Sequence, residues 1–183
     1  PCRVCNCFVP GDLKITGPDA DLAALQAYVE PTFRRAKEAG VDTIVFGSGG
    51  ARRIPEGFDR DEAHRQLVAF CTMAGPLAGE RGVTVVVEPL QFNECNVLNT
   101  VAECAALVRE VNHPAVRLLV DGYHWGRDDK SVEAIVEAGD LFAHTHIATT
   151  ANRLPPGAED YDFTPFFGAL KKAGYDGRMS IEG

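Results

Sequence analysis

The chain has 183 residues, 45% of them hydrophobic, with 18 Lys and Arg against 26 Asp and Glu and a formal charge of -8. That length suffices for one domain with a substantial core and carries no sign of a second. No apolar run nears the roughly 20 residues of a bilayer span, no signal segment opens the chain, and scattered basic residues give a phosphate backbone no footing. A cytoplasmic protein with neither membrane nor nucleic-acid partners is expected.

The first alternating stretch, 3–9, predicts a strand. Cys2, Cys5 and Cys7 crowd this end and permit a metal or iron-sulfur knot. A period of two instead puts Cys5 and Cys7 on one strand face and Val4, Asn6 and Phe8 on the other. No second Cys pair has a zinc-like spacing, so reduced thiols are the expectation. An amphipathic pattern predicts a helix over 21–39, stopped by Gly40, before a second strand at 43–46. Gly47-Ser48-Gly49-Gly50 follows that strand and is a weak substitute for a dinucleotide-binding Gly-x-Gly-x-x-Gly. The alternation then continues: helix 59–80 from Asp59 to Gly82, strand 83–88, helix 97–111 opened near Asn99, strand 116–121, helix 131–138 stopped by Gly139. Strand 142–147, helix 163–173 between Thr164-Pro165 and Gly174, and strand 179–182 complete the series.

Strict βα alternation with short, nearly continuous apolar strands implies a parallel sheet covered by helices. Ionisable residues stand at the C-terminal ends of the last four strands, which favours a TIM-type (β/α) barrel over an open sheet, because barrel active sites are assembled at that face. Six strands are visible where such a barrel has eight. The expectation is therefore a single partial barrel, strands three to eight, lacking two βα units before Pro1 and a helix after Gly183. Its open edges would suit an isolated monomer poorly and leave a homo-oligomer open.

Glu88, Asp121, His146 and Glu182 close four successive strands, and neighbouring strands lie about 4.8 Å apart, so these side chains can converge. Three ionised carboxylates with nothing between them would repel by roughly 4 kcal/mol per close pair at an effective dielectric of about 20. A divalent cation removes that repulsion. Three oxygens and an imidazole suit Mn²⁺, Mg²⁺ or Co²⁺, with Zn²⁺ also open. Taken singly, each carboxylate has a plainer reading as a cap or a solvated charge; recurrence on four strands carries the metal reading. His144 and His146 point the same way, so either can be the imidazole.

Val85-Val86-Val87-Glu88-Pro89-Leu90, Val120-Asp121-Gly122-Tyr123-His124, His144-Thr145-His146-Ile147-Ala148, Asn152-Arg153-Leu154-Pro155-Pro156-Gly157 and Ser180-Ile181-Glu182 together resemble the xylose isomerase-like barrel superfamily. Within it the sugar phosphate isomerase/epimerase group, with tagatose 3-epimerase and its ketose relatives, is most similar. The resemblance implies that Glu88, Asp121, His146 and Glu182 hold one divalent metal, Mn²⁺ foremost. It implies that Glu94, His124 and Arg153 hold oxygens of a small sugar or polyol substrate.

A metal chelating a carbonyl and its neighbouring hydroxyl acidifies the C–H between them and stabilises an enediolate. Glu88 and Glu182, as catalytic residues on strands separated by two others, can exchange protons from opposite faces and epimerise the carbon, or from one face and isomerise aldose to ketose. The same intermediate can expel a β-hydroxyl, so an inosose dehydratase-like lyase is the alternative. A hydrolase acting on abasic DNA would need more histidines at strand ends and a basic surface. A non-catalytic carbohydrate-binding or regulatory barrel, or an inactive truncated product, is the remaining rival. His124 either donates to substrate or caps its loop, and Glu94 either binds hydroxyls or orients His124. Asn93, Asn96, Trp125 and Arg127 share those loops, while His64 and His113 read as structural.

Overall fold

The computed structural model describes residues 2–183. Six parallel strands lie side by side in sequence order, each joined to the next through the helical layer: β1 (Val4–Cys5), β2 (Thr43–Phe46), β3 (Thr84–Val87), β4 (Val116–Asp121), β5 (Phe142–Ile147) and β6 (Met179–Ile181). The helices are α1 (Leu22–Ala39), α2 (Gly49–Arg52), α3 (Arg60–Gly79), α4 (Val101–Val111), α5 (Gly122–His124), α6 (Val132–Glu137) and α7 (Thr164–Lys172). A π-helical turn, Trp125–Asp129, continues α5, and a 3-10 turn, Gly139–Leu141, leads into β5.

A period of two divides the strand side chains between the faces of the sheet. Ile44, Phe46, Val85, Val87, Leu118 and Val120 face the helices and join the main core with Leu25, Phe33, Leu67, Phe70 and Leu107. Val45, Val86 and Leu119 form a separate inner cluster, with Val4 against it. One step further along, the same inner face carries Asn6, Gly47, Glu88, Asp121, His146 and Glu182. The sheet therefore curves around one layer of apolar side chains with one layer of polar groups above it, the arrangement of a barrel interior.

The helix ends follow local chemistry. Asp21 caps α1 through Ala23 N and Ala24 N, and Gly40 ends it at φ 77°, a conformation that costs glycine little. Asp59 caps α3 through Glu62 N. Three expectations are corrected. Strand 3–9 shrinks to Val4–Cys5, because Cys7 turns to φ 58° and breaks the alternation, so Cys5 and Cys7 do not share a strand face. Helix 97–111 starts at Val101: Thr100, not Asn99, is its cap and forms a reciprocal box with Glu103, while the Asn99 amide donates to Leu90 O and Cys95 O. Gly139 starts the 3-10 turn without a positive φ; a Cβ there would lie 2.6 Å from Ala173 O, so close approach explains the glycine.

Cys2, Cys5 and Cys7 are exposed free thiols, and Cys71, Cys95 and Cys104 are buried ones. At the N-terminal face of the sheet, Asp42 receives Arg3, from just before β1, and Arg178, from just before β6, and so ties the two edges together. Among the described residues no helix is long and apolar enough to cross a membrane.

Candidate active site

Glu88, Asp121, His146 and Glu182 each offer a donor atom, and these atoms all lie within 4.8 Å of one another. Glu88, Asp121 and His146 are buried and Glu182 half-buried. Parallel pairing places Asp121 beside His146, and Glu182 N donates to Ile147 O, so the sheet ladder itself sets three of the four positions. Glu88 needs further room. A Cβ on Gly47, its neighbour just past β2, would lie 2.5 Å from Glu88 Oε2.

His146 Nδ1 lies 3.2 Å from Glu88 Oε1 and 3.1 Å from Glu182 Oε2. Burial alone would push this imidazole down, but hydrogen bonds to Glu182 and Glu88 outweigh it and lift the pKa to about 10. Burial raises Glu88, with His146 pulling the other way. Against its own burial, Glu182 is drawn down to about 2 by His146 and Arg153. Asp121 is pushed up to about 7, by burial first and by the Glu88 charge second. Its Oδ1 accepts from Tyr123 N, whereas its buried Oδ2 has no hydrogen-bond partner. An orphaned carboxylate oxygen among two further carboxylates and an imidazole is a donor set that fits a divalent cation.

His144 does not share this point. It sits one layer deeper, with Nε2 2.9 Å from Ser180 Oγ and its ring edge-on to His146 at 5.1 Å between centroids. Of the two histidines, His146 is the one that its position along β5 brings into the cluster.

The other three residues singled out in the sequence meet at the mouth of the cluster. His124 is buried beside Asp121 Oδ2 (3.6 Å) and Glu94 Oε2 (3.9 Å). Its Nδ1 accepts from Gln91 N at 3.3 Å, which leaves the proton on Nε2, facing the cavity's carboxylates. Burial, then Arg153, lowers His124 to about 3, so it stays a neutral donor. Arg153 bonds Glu182 at 2.9 Å and approaches Asp121 and Glu94 at 3.7 Å. A cavity of about 480 Å³ opens here, bounded by Glu88, Glu94, His124, Arg153 and Glu182 on one side and by Asn6 and the Gly47–Gly50 loop on the other. That volume suits a small molecule.

Some contributors were invisible in the sequence. Asn6 donates to Glu182 Oε1, which a residue beyond the end of a two-residue strand does not announce. Gln91 binds Glu94 Oε1 and Tyr123 Oη as well as the His124 ring, and only its place after Glu88 hinted at this. The Arg153 guanidinium lies over the Tyr123 ring, 4.5 Å from its centre, with Arg127 at 5.6 Å. Trp125 and Asn96 belong to the framework: Trp125 packs on Phe166 and donates to Ser131 O, and the Asn96 amide binds both backbone groups of Ile54. His64 is exposed against Glu110, and His113 accepts from Ala115 N before β4.

A curved parallel sheet with a polar layer at its C-terminal face defines a partial β/α barrel with a candidate active site. A family model described as xylose isomerase-like TIM barrel matches residues 4–183, and the chain belongs to that family. It is 32% identical over 122 residues to an L-ribulose 3-epimerase of Methylomonas sp. (strain DH-1), covering 66% of this chain and 42% of the relative. To a D-psicose 3-epimerase of Agrobacterium fabrum it is 32% identical over 167 residues, 87% of this chain and 56% of the relative. A crystal structure of a D-psicose 3-epimerase in the presence of D-fructose superimposes with a TM-score of 0.85 at 25% identity, over 97% of this chain and 62% of that one. The chain thus spans about half the length of these sequence relatives.

Proposed function

We propose that this chain carries the site of a divalent-metal-dependent sugar epimerase or isomerase, acting next to the carbonyl of a ketose. The observation that carries the proposal is the convergence of Glu88, Asp121, His146 and Glu182 within 4.8 Å, with a buried Asp121 oxygen lacking any partner. The epimerase names of the relatives support the reaction class.

Glu88, Asp121, His146 and Glu182 would hold the cation, Mn²⁺ by preference, which when bound would supply Lewis acidity to a substrate carbonyl and its neighbouring hydroxyl. The chain's own groups do the rest. Glu182, which His146 and Arg153 keep ionised, takes the proton from the carbon between them. Glu88 returns a proton from the other side, one carboxylate serving as base and the other as acid. Glu88 leaves β3 and Glu182 leaves β6, with β4 and β5 between, so they address the cavity from two directions. His124 donates from Nε2 to the oxygen that gains charge, and Arg153 and Glu94 hold hydroxyls at the mouth.

The test is solvent deuterium incorporation into a panel of ketoses and inososes with added Mn²⁺. Deuterium in a ketose with the native chain, and none with Glu182→Gln of unchanged circular dichroism, is the expected outcome. Loss of water, read as a mass change, would transfer the site to a dehydratase. Tight metal binding with no deuterium in any sugar would make it a binding barrel.

A further inference from the structure

Arg52, the last residue of α2, is the largest fully buried side chain of the protein, and the chemistry above gives it no part. Its Nη1 donates to Phe46 O at 2.9 Å; its Nη2 donates to Glu88 O at 2.7 Å and Leu98 O at 3.3 Å. The guanidinium lies 5.5 Å from the centre of the Phe46 ring, and Nε has no partner. Every polar partner is thus a neutral carbonyl, and among the described residues no carboxylate forms an ion pair with it. A buried cation without a counter-ion is unfavourable, so the charge must be balanced by anions further off.

Its position names those anions. Phe46 O and Glu88 O end β2 and β3 beside the polar layer, and Glu88 and Leu98 bracket the loop that carries Gln91 and Glu94. Glu88, whose carbonyl Arg52 holds, is also a member of the carboxylate cluster. Glu88, Asp121, Glu182 and Glu94 bring four negative charges; a divalent cation and Arg153, which bonds Glu182 at 2.9 Å and approaches Glu94 and Asp121 at 3.7 Å, offset three of them. Arg52 supplies the missing positive charge from behind.

We infer that Arg52 is a positioning residue for the metal centre: it pins the backbone of Glu88 and provides the fixed charge that balances the ligand set. This rests on the metal reading above. Arginine is required because its planar fork reaches three carbonyls at once, whereas a lysine brings the charge as a point.

The experiment is Mn²⁺ titration of the native chain, Arg52→Lys and Arg52→Met by calorimetry, with circular dichroism and Mn²⁺ electron paramagnetic resonance on each. Arg52→Met should keep the fold and weaken Mn²⁺ binding by roughly 10- to 100-fold, the range for residues that support metal ligands. Arg52→Lys should recover part of that affinity yet alter the resonance line shape, because the charge returns without the fork. Native affinity in a folded Arg52→Met overturns the inference, and equal losses in both variants overturn its charge component. Failure of both to fold would assign Arg52 to the framework alone and overturn it as well. A native chain that binds no Mn²⁺ would instead sink the metal reading itself.

Discussion

Asp121→Asn separates the stability of the cluster from its ability to bind a cation. Without metal, burial and Glu88 hold the Asp121 carboxyl at about 7 against an ordinary 3.8, a shift worth about 4 kcal/mol. Because the folded value lies above the unfolded one, the penalty is absent below about pH 4, grows as pH rises, and is complete above about pH 7. Asparagine removes it while keeping Oδ1 as acceptor for Tyr123 N. Its amide NH₂ would then face two donors, His124 Nε2 at 3.6 Å and Arg153 Nη2 at 3.7 Å, at a cost of about 2 kcal/mol. The net gain at about pH 8 is about 2 kcal/mol, or roughly 4 to 8 °C in Tm. Thermal unfolding by circular dichroism, with EDTA and with Mn²⁺, is the assay. In EDTA the variant should melt above the native chain at about pH 8 and below it at about pH 4, and Mn²⁺ should raise only the native Tm. A variant that melts lower in EDTA at about pH 8, or gains as much from Mn²⁺ as the native chain, refutes the reasoning.

Three further substitutions probe the supports. Gly47→Ala brings a methyl against Glu88 Oε2 and should cost about 1 to 3 kcal/mol in denaturant unfolding while weakening Mn²⁺ binding; unchanged affinity would free Glu88 from dependence on β2. Tyr123→Leu removes the ring under Arg153, worth about 1 kcal/mol, and should raise KM about fivefold with little change in metal affinity, as steady-state kinetics and calorimetry would report. Asp42→Asn breaks the tie between Arg3 and Arg178. Although burial opposes it, these two arginines draw Asp42 down to about 2, and the group is partly open to solvent, so about 1 kcal/mol is expected at neutral pH. That stabilisation is present above about pH 4 and disappears as pH falls through about 2, where native and variant melting curves should meet.

The strands and long helices were legible because each has its own sequence pattern: continuous apolar runs for a sheet buried on both faces, an apolar stripe for the helices. Errors fell where a backbone angle or a competing hydrogen bond overrode the pattern. Alternation from Arg3 to Val9 is a sound strand signal, and only the left-handed turn at Cys7 ends it. Asn99 and Thr100 are both competent caps; the choice fell to Thr100 because Glu103 stands three residues on and because the Asn99 amide was taken by Leu90 O and Cys95 O. The four convergent residues were readable since strand register alone brings them together. Arg153 reaches them differently, from a left-handed backbone at φ 54° in a loop after β5, and no periodicity encodes that.

The two kinds of position imply two kinds of tolerance. Glu88, Asp121, His146 and Glu182 stand at the ends of strands locked by ladder hydrogen bonds, so a shift of one of them requires a shift of a strand. His124, Glu94 and Arg153 are held by side chains instead: Gln91 fixes the histidine ring and Glu94, and Tyr123 carries Arg153. A change at Gln91 or Tyr123 can therefore re-aim the groups proposed to meet substrate hydroxyls while the proposed cation-binding layer stays in place. Substrate preference should consequently respond to the loops after β3, β4 and β5, and proton transfer to the sheet. Variants at Gln91 that move KM between ketoses would leave Mn²⁺ affinity unaltered; a parallel fall in both would mean that the loops and the ligand layer form one mechanical unit.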